Sequence, residues 1–144
     1  MRRVVITGLG AVSPIGNDVN TVWNSIEQGV CGIAPITHFD TSDYKVKLAG
    51  EVKDLDMEAY FSKRDLKFND RFTQFARIVS KQAMIDAGFE KDPKDAMRFG
   101  CMIGSGIGGI DTIEQASKTL EDRGPSRVSP FFIPMSLANL AAVR

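Results

Sequence analysis

The chain is poor in the residues from which reactive or cross-linked sites are made: two cysteines, one histidine, one tryptophan and two tyrosines in 144 residues. Two cysteines, Cys31 and Cys101, exclude a disulfide framework, and a reducing compartment is the simplest reading. A lone histidine, His38, excludes a histidine-rich metal centre. No CxxC or HxxxH spacing occurs, so neither metal nor cofactor is expected. Neither sign of charge is in excess. Lysine plus arginine and aspartate plus glutamate number 18 each, which gives no overall electrostatic footprint for nucleic acid or an anionic membrane. No apolar run approaches the ~18 residues of a membrane span. The start MRRVVITGLGAVSPIGN imitates a secretion signal, but glycines and Pro14 interrupt it and no small-residue cleavage site follows. A soluble, cytoplasmic protein is expected.

What is present is ordinary for a packed domain. Hydrophobic residues make up 43% and charged residues 25%, which argues against a disordered tail, a collagen-like fibre or a repeat array. Val4-Val5-Ile6 predicts a strand buried on both faces. Asn17 or Asp18 can cap a helix running to about Gln28, with Gly29 as its stop. Residues 30–44 read as loop, Val46 to Val52 as a weaker strand, and Met57 to Phe61 as at most a short helix. The longest helix signal runs from Asn69-Asp70 to Gly88, with Phe72, Phe75, Ala76, Val79, Ala83 and Ala87 in one stripe. Ile78 and Ile85 widen that stripe, so burial on more than one side is expected. Residues 90–97 read as a charged connector. Phe99 to Ile103 predicts a second buried strand, followed by a helix from Gly109 to Leu120 that stops near Gly124-Pro125. A last apolar helix is expected after Pro134, through Met135, Leu137, Leu140 and Ala142. This order predicts an α/β layered fold with a mainly parallel sheet. No linker, repeat or low-complexity tract divides residues 1–144.

Three features carry candidate chemistry. Gly8-x-Gly10 follows the first strand signal, where a dinucleotide fingerprint would lie. The next glycine is Gly16, and Pro14 removes a donor, so a tight turn packing a helix close to a strand is favoured over a nucleotide site. Gly104-Ser105-Gly106-Ile107-Gly108-Gly109 holds one bulky apolar side chain among four glycines; a plain turn and a mobile hydrophobic gate both fit. Lys63, Arg64, Lys67 and Arg71 cluster, as do Arg123 and Arg127. A solvated face is the usual meaning of such a run, and a docking patch for an acidic partner is the sharper one. Cys101 has the surroundings of an inert core thiol, and neither Cys31 nor His38 has a matched partner. No complete catalytic set is visible.

Taken together, RRVVITGLGAVSPIGN, HFDTSDY, IGSGIGGI and PSRVSPFFIPMSLANLAA resemble the N-terminal part of a β-ketoacyl-acyl carrier protein synthase, of the elongating II type. The resemblance implies a thiolase-like layered α/β/α/β/α fold that dimerises. It implies elongation of an acyl chain by decarboxylative Claisen condensation with malonyl-acyl carrier protein. In that family a cysteine and two histidines do the chemistry, and all three fall after the NLAA motif. No catalytic residue is therefore expected among residues 1–144, and the chain alone is expected to be inactive. The same resemblance places Ile107 at the inner end of the acyl pocket and Phe132 as an aromatic lining that pocket from the partner subunit. It assigns Arg64, Lys67 and Arg127 to docking of acyl carrier protein, with Lys63 beside them, while Phe68 stands where the family often has another basic residue. Val143 replaces a usual glycine after Asn139-Leu140-Ala141-Ala142. Two alternatives remain: a non-catalytic acyl- or carrier-binding dimer partner of the same fold, and a nucleotide-binding α/β domain.

Overall fold

The computed structural model describes residues 3–89 and 95–143. Among the described residues, five helices and two strands follow in the order α1 (Val19–Glu27), β1 (Ile33–Pro35), β2 (Leu48–Gly50), α2 (Lys63–Phe68), α3 (Arg71–Asp86), α4 (Ile110–Arg123) and α5 (Phe132–Ser136). Short 3₁₀ turns occupy Ala96–Arg98, Pro125–Arg127 and Ala138–Ala142. The chain divides into two compact units, Met1–Asp56 with Val79–Glu90, and Met57–Ile78 with Lys91–Arg144.

In the first unit, α1 begins where expected because Asp18 accepts the Thr21 backbone N–H at 2.9 Å and the Thr21 hydroxyl at 2.6 Å. β1 and β2 pair antiparallel, with Ile33 opposite Gly50 and Pro35 opposite Leu48. The described sheet is thus a short antiparallel pair, where the sequence led us to expect mainly parallel pairing. β1 lies inside the stretch read as loop, because three residues with a terminal proline give too short a run to register. The connection between the strands is built from polar turns. Asp40 accepts from the Ser42 N–H and hydroxyl, and the Phe39 and Tyr44 rings meet edge-on at 5.5 Å. Glu51 anchors its near end, accepting from the Thr37 N–H (2.9 Å), the Thr37 hydroxyl (2.7 Å) and the His38 N–H (3.2 Å).

The glycines after residue 7 serve packing. A Cβ on Gly8 would strike the Ala83 carbonyl oxygen, and one on Gly10 the Val79 carbonyl oxygen, both on α3. The intervening donors are occupied as well. Leu9 N–H bonds the Asp86 carboxylate at 2.8 Å, and Ala11 N–H bonds the Gln82 side chain at 2.9 Å. Two of the backbone donors that a pyrophosphate could use, on Leu9 and Ala11, are thus bonded to α3 side chains, and the turn packs a helix against irregular backbone rather than against a strand.

Neither Val4-Val5-Ile6 nor Phe99–Ile103 forms a strand. Val4 is 92% exposed and Met102 98%. A strand buried on both faces needs neighbouring strands on its edges and a layer on each side, and among the described residues the sheet consists of β1 and β2. Cys101, expected in a core, is consequently exposed. In the second unit, α2 forms over the basic cluster, where no helix is expected from the sequence. α3, whose residues Arg71–Ile78 belong to this unit and Val79–Asp86 to the first, fulfils the longest helix signal, but only Ile78 and Thr73 on it are buried and Ile85 is exposed. The last apolar helix is replaced by α5, which contains Pro134, and by the 3₁₀ turn Ala138–Ala142. Among the described residues the buried apolar ones, Phe61, Ile78 and Ala141, all lie in the second unit. Of the expected connector 90–97, residues 90–94 lie outside the described residues.

The three bonds to Glu51 hold its carboxyl down to about 2, the Thr37 hydroxyl contributing most. A carboxyl depressed on folding stabilises above its ordinary value near 4.5 and loses that contribution as pH falls towards about 2. Glu51→Gln should therefore lower the thermal midpoint at pH 7, with the gap to the parent closing as pH falls below 4.5. A gap of constant size across a melting series from pH 7 to 3 would contradict this.

Candidate functional site

α2 starts with a capping box. Ser62 Oγ accepts the Asp65 N–H at 3.1 Å, and Asp65 Oδ2 accepts the Ser62 N–H at 3.3 Å and hydroxyl at 2.7 Å. The Ser62 hydroxyl is the main reason that the Asp65 carboxyl lies below its usual range, with the Arg77 and Arg64 charges assisting. The far end of α2 is closed by side chains. Asn69 donates to the Asp65 carbonyl at 2.7 Å, and Gln74 donates to the Leu66 carbonyl at 3.3 Å and to the Asn69 carbonyl at 2.7 Å. This short, doubly capped helix carries Lys63, Arg64 and Lys67, all exposed. The i, i+3 and i, i+4 spacing gathers the three cations on neighbouring faces. Phe68 sits beneath them, its ring 4.5 Å from that of Phe131 and 5.8 Å from Lys67 Nζ.

Asp70 is the pivot of this unit. It is 6% exposed, and its Oδ2 accepts the Thr112 N–H at 3.0 Å and the Thr112 hydroxyl at 2.6 Å. Gly109, at the N-cap of α4, has no side chain to do this. A carboxylate from 42 residues earlier therefore caps α4, with the favourable sign for the helix dipole. The same glycine lets α4 meet α5. Gly109 N–H bonds the Ser136 carbonyl at 3.0 Å, and a Cβ there would collide with the Met135 carbonyl oxygen.

The glycine-rich run thus splits in two. Gly104 and Gly106 stand in open space, while Gly108 and Gly109 are packed on the end of α5. Ile107, between the halves, is 65% exposed.

α4 and α5 border an open cavity of about 240 Å³, with Lys67, Gln115, Arg127 and Ser129 exposed at its mouth. Thr112, Gln115, Ala116 and Thr119 supply one wall from a single face of α4, at i, i+3, i+4 and i+7. Phe132 and Met135 of α5, Arg127 and Ser129 of the preceding turn, and Lys67 of α2 complete it. Of the six site residues expected from sequence, Lys67, Arg127 and Phe132 share this cavity. Lys63 and Arg64 stand outside it on α2, and Ile107 is not among its walls. Asp70 and the α4 face were missed. Asp70 gives no local signal, since its partner is distant, but the i, i+3, i+4, i+7 set of small and polar residues on α4 was there to be read. Among the described residues no group of three or more His, Cys, Asp or Glu is placed to hold a metal ion.

Comparison with known proteins places this arrangement. Solved structures with the same fold include the ishigamide ketosynthase/chain length factor (TM-score 0.80, 26% identity, 97% of this chain and 35% of that one). A beta-ketoacyl synthase from Burkholderia phymatum STM815 superposes with TM-score 0.80 at 24% identity, over 99% of this chain and 36% of that one. The chain is therefore part of a thiolase-like α/β fold. It matches the model of the beta-ketoacyl synthase N-terminal domain over residues 1–144 and belongs to that family. Among its relatives, 3-oxoacyl-[acyl-carrier-protein] synthase 2 of Staphylococcus aureus (strain COL) is 50% identical over 97% of this chain and 34% of its own length. The Vibrio cholerae protein of the same name is 44% identical over 98% of this chain and 34% of its own length. The chain thus spans about a third of the length of these relatives.

Asp70→Ala leaves the α4 cap empty and the Thr112 donors unpaired, and should cost about 1–3 kcal/mol in urea unfolding. Gly109→Ala should destabilise by about 1–3 kcal/mol through overpacking, whereas Gly106→Ala, which meets nothing within 4 Å, should be close to neutral. Equal midpoints for the two glycine variants would contradict the division of the loop.

Proposed function

We propose that this chain supplies the N-terminal portion of an elongating 3-oxoacyl-acyl carrier protein synthase, an acyltransferase of fatty-acid synthesis. An enzyme thiol takes an acyl group from acyl carrier protein. Malonyl-acyl carrier protein then loses carbon dioxide, and the resulting carbanion attacks the thioester, forming the new carbon–carbon bond and releasing the thiol. Residues 1–144 contribute binding surfaces to this reaction rather than the reacting sulfur. Cys31 and Cys101 take no part.

The observation that carries the reading is the shared cavity of Lys67, Arg127 and Phe132, next to the exposed Lys63 and Arg64. Four cations on two short segments of a chain with no net charge form a local landing surface, and an acidic carrier protein is the partner such a surface steers. A solved ketosynthase bound to an acyl-carrier protein has this fold, with TM-score 0.78 at 23% identity. Phe68, which replaces a basic residue usual in the family, still serves the surface, since its ring lies under Lys67.

Ile107 acts as the gate of the acyl pocket and Phe132 as a wall reaching towards the partner subunit of a homodimer. Two facts support these roles: Ile107 protrudes between an open and a packed pair of glycines, and Phe131, Ile133 and Leu137 around α5 are exposed apolar groups suited to burial in a dimer. An apolar pocket measures chain length because each buried methylene contributes about 0.8 kcal/mol. The neighbour described as a ketosynthase/chain length factor supports a second reading, a non-catalytic dimer partner. Mass analysis of the protein after incubation with acyl-carrier protein separates the two, since only the enzyme gains a thioester.

Arg64→Glu with Lys67→Glu should weaken carrier binding several-fold more at low salt than at high salt, measured by titration calorimetry. Equal losses at both salt levels would exclude electrostatic docking. Ile107→Phe should shorten the longest acyl chain accepted, and an unchanged product distribution would remove the gate.

A further inference from the structure

We propose that the cavity between α4 and α5 takes a small phosphate ester, and that its occupancy opposes docking of an acidic partner on the same cations. The first half stands on the cavity alone; the second rests on the docking function given above.

The charge count leads. The walls contain two cations, Lys67 and Arg127, and no aspartate or glutamate. Among the described residues neither cation forms a salt bridge within the chain. A phosphate monoester carries nearly two negative charges at neutral pH and so matches both cations, whereas a carboxylate leaves one unmatched. Arg127 brings a planar fork and Lys67 a point charge, the two standard partners of a phosphate.

The donor count agrees. Two hydroxyls in the wall have their protons occupied: Thr112 donates to Asp70 at 2.6 Å, and Thr119 donates to the Gln115 carbonyl at 2.8 Å. Ser129 Oγ instead accepts the Phe131 N–H at 3.2 Å, which leaves its own proton to give. With the Gln115 amide, the cavity offers donors of four kinds to an acceptor-rich head.

Size and polarity set the rest of the ligand. At about 240 Å³ the space lies below the ~300–1,000 Å³ of a drug-sized site. A phosphate fills part of it. The remainder borders Ala116, Phe132 and Met135, where a short alkyl stem displaces water from apolar surface.

The test uses the whole protein labelled with ¹³C at its methionine methyl groups, the Met135 signal being assigned by Met135→Leu. Butyl phosphate, inorganic phosphate and pentanoate are titrated in turn at fixed ionic strength. Butyl phosphate should shift the Met135 signal saturably and bind more tightly than the other two. Lys67→Gln with Arg127→Gln, shown to unfold at the parent's midpoint, should weaken it about tenfold or more. An unmoved Met135 signal, pentanoate or inorganic phosphate binding as tightly as the ester, or an unchanged affinity in the double variant overturns the site. In a second arm, butyl phosphate at concentrations that saturate Met135 should displace bound acyl carrier protein. Retention of the carrier with Met135 saturated overturns the opposition to docking and leaves the ester site standing.

Discussion

One buried carboxylate sets the geometry of the functional unit. Asp70 stands between α2 and α3 in sequence, yet its Oδ2 holds the first turn of α4. That bond fixes which face of α4 looks at α5, because Thr112 is both the residue held and a wall of the cavity. A loose Thr112 would rotate Gln115, Ala116 and Thr119 with it. Burial makes the constraint stiff, since a carboxyl group at 6% exposure is costly unless its acceptor capacity is used.

Around that pivot, close backbone approach does what side chains do elsewhere. Gly108 and Gly109 let the α4 turn lie on the carbonyls of Met135 and Ser136, and Gly8 and Gly10 let the first segment lie on α3. In both places the absence of a Cβ is used for packing. The two sites differ in what surrounds them: the segment of Gly8 and Gly10 has its N–H groups bonded to Gln82 and Asp86, while the α4 turn leaves Gly104, Gly106 and Ile107 facing open space.

Local signals in the sequence were good guides. The Asp18 cap of α1, the long periodic stripe of α3 and the glycine bounds of α4 were legible, because each depends on residues within one or two turns. The Ser62-x-x-Asp65 box is equally local, but the helix it opens is six residues long and mostly charged, with no apolar stripe to mark it. Strands were read unevenly: β2 lies inside the weaker signal Val46 to Val52, but the two stronger signals did not form strands. Val4-Val5-Ile6 and Phe99–Ile103 have the composition of buried strands, but a strand exists only through its neighbours, and composition does not supply them. Within the site, Lys67, Arg127 and Phe132 were found through motifs, whereas Asp70 and the α4 wall depend on contacts between distant parts of the chain.

The two cations of the cavity are mounted differently. Lys67 rides on a helix locked at both ends, while Arg127 sits on the single 3₁₀ turn Pro125–Arg127, outside the hydrogen-bond ladder of α4. Lengthening or rebuilding that three-residue turn would re-aim one positive charge and leave the helices undisturbed. The aim of this charge is thereby set by three residues, separately from the helical frame that sets the aim of the other.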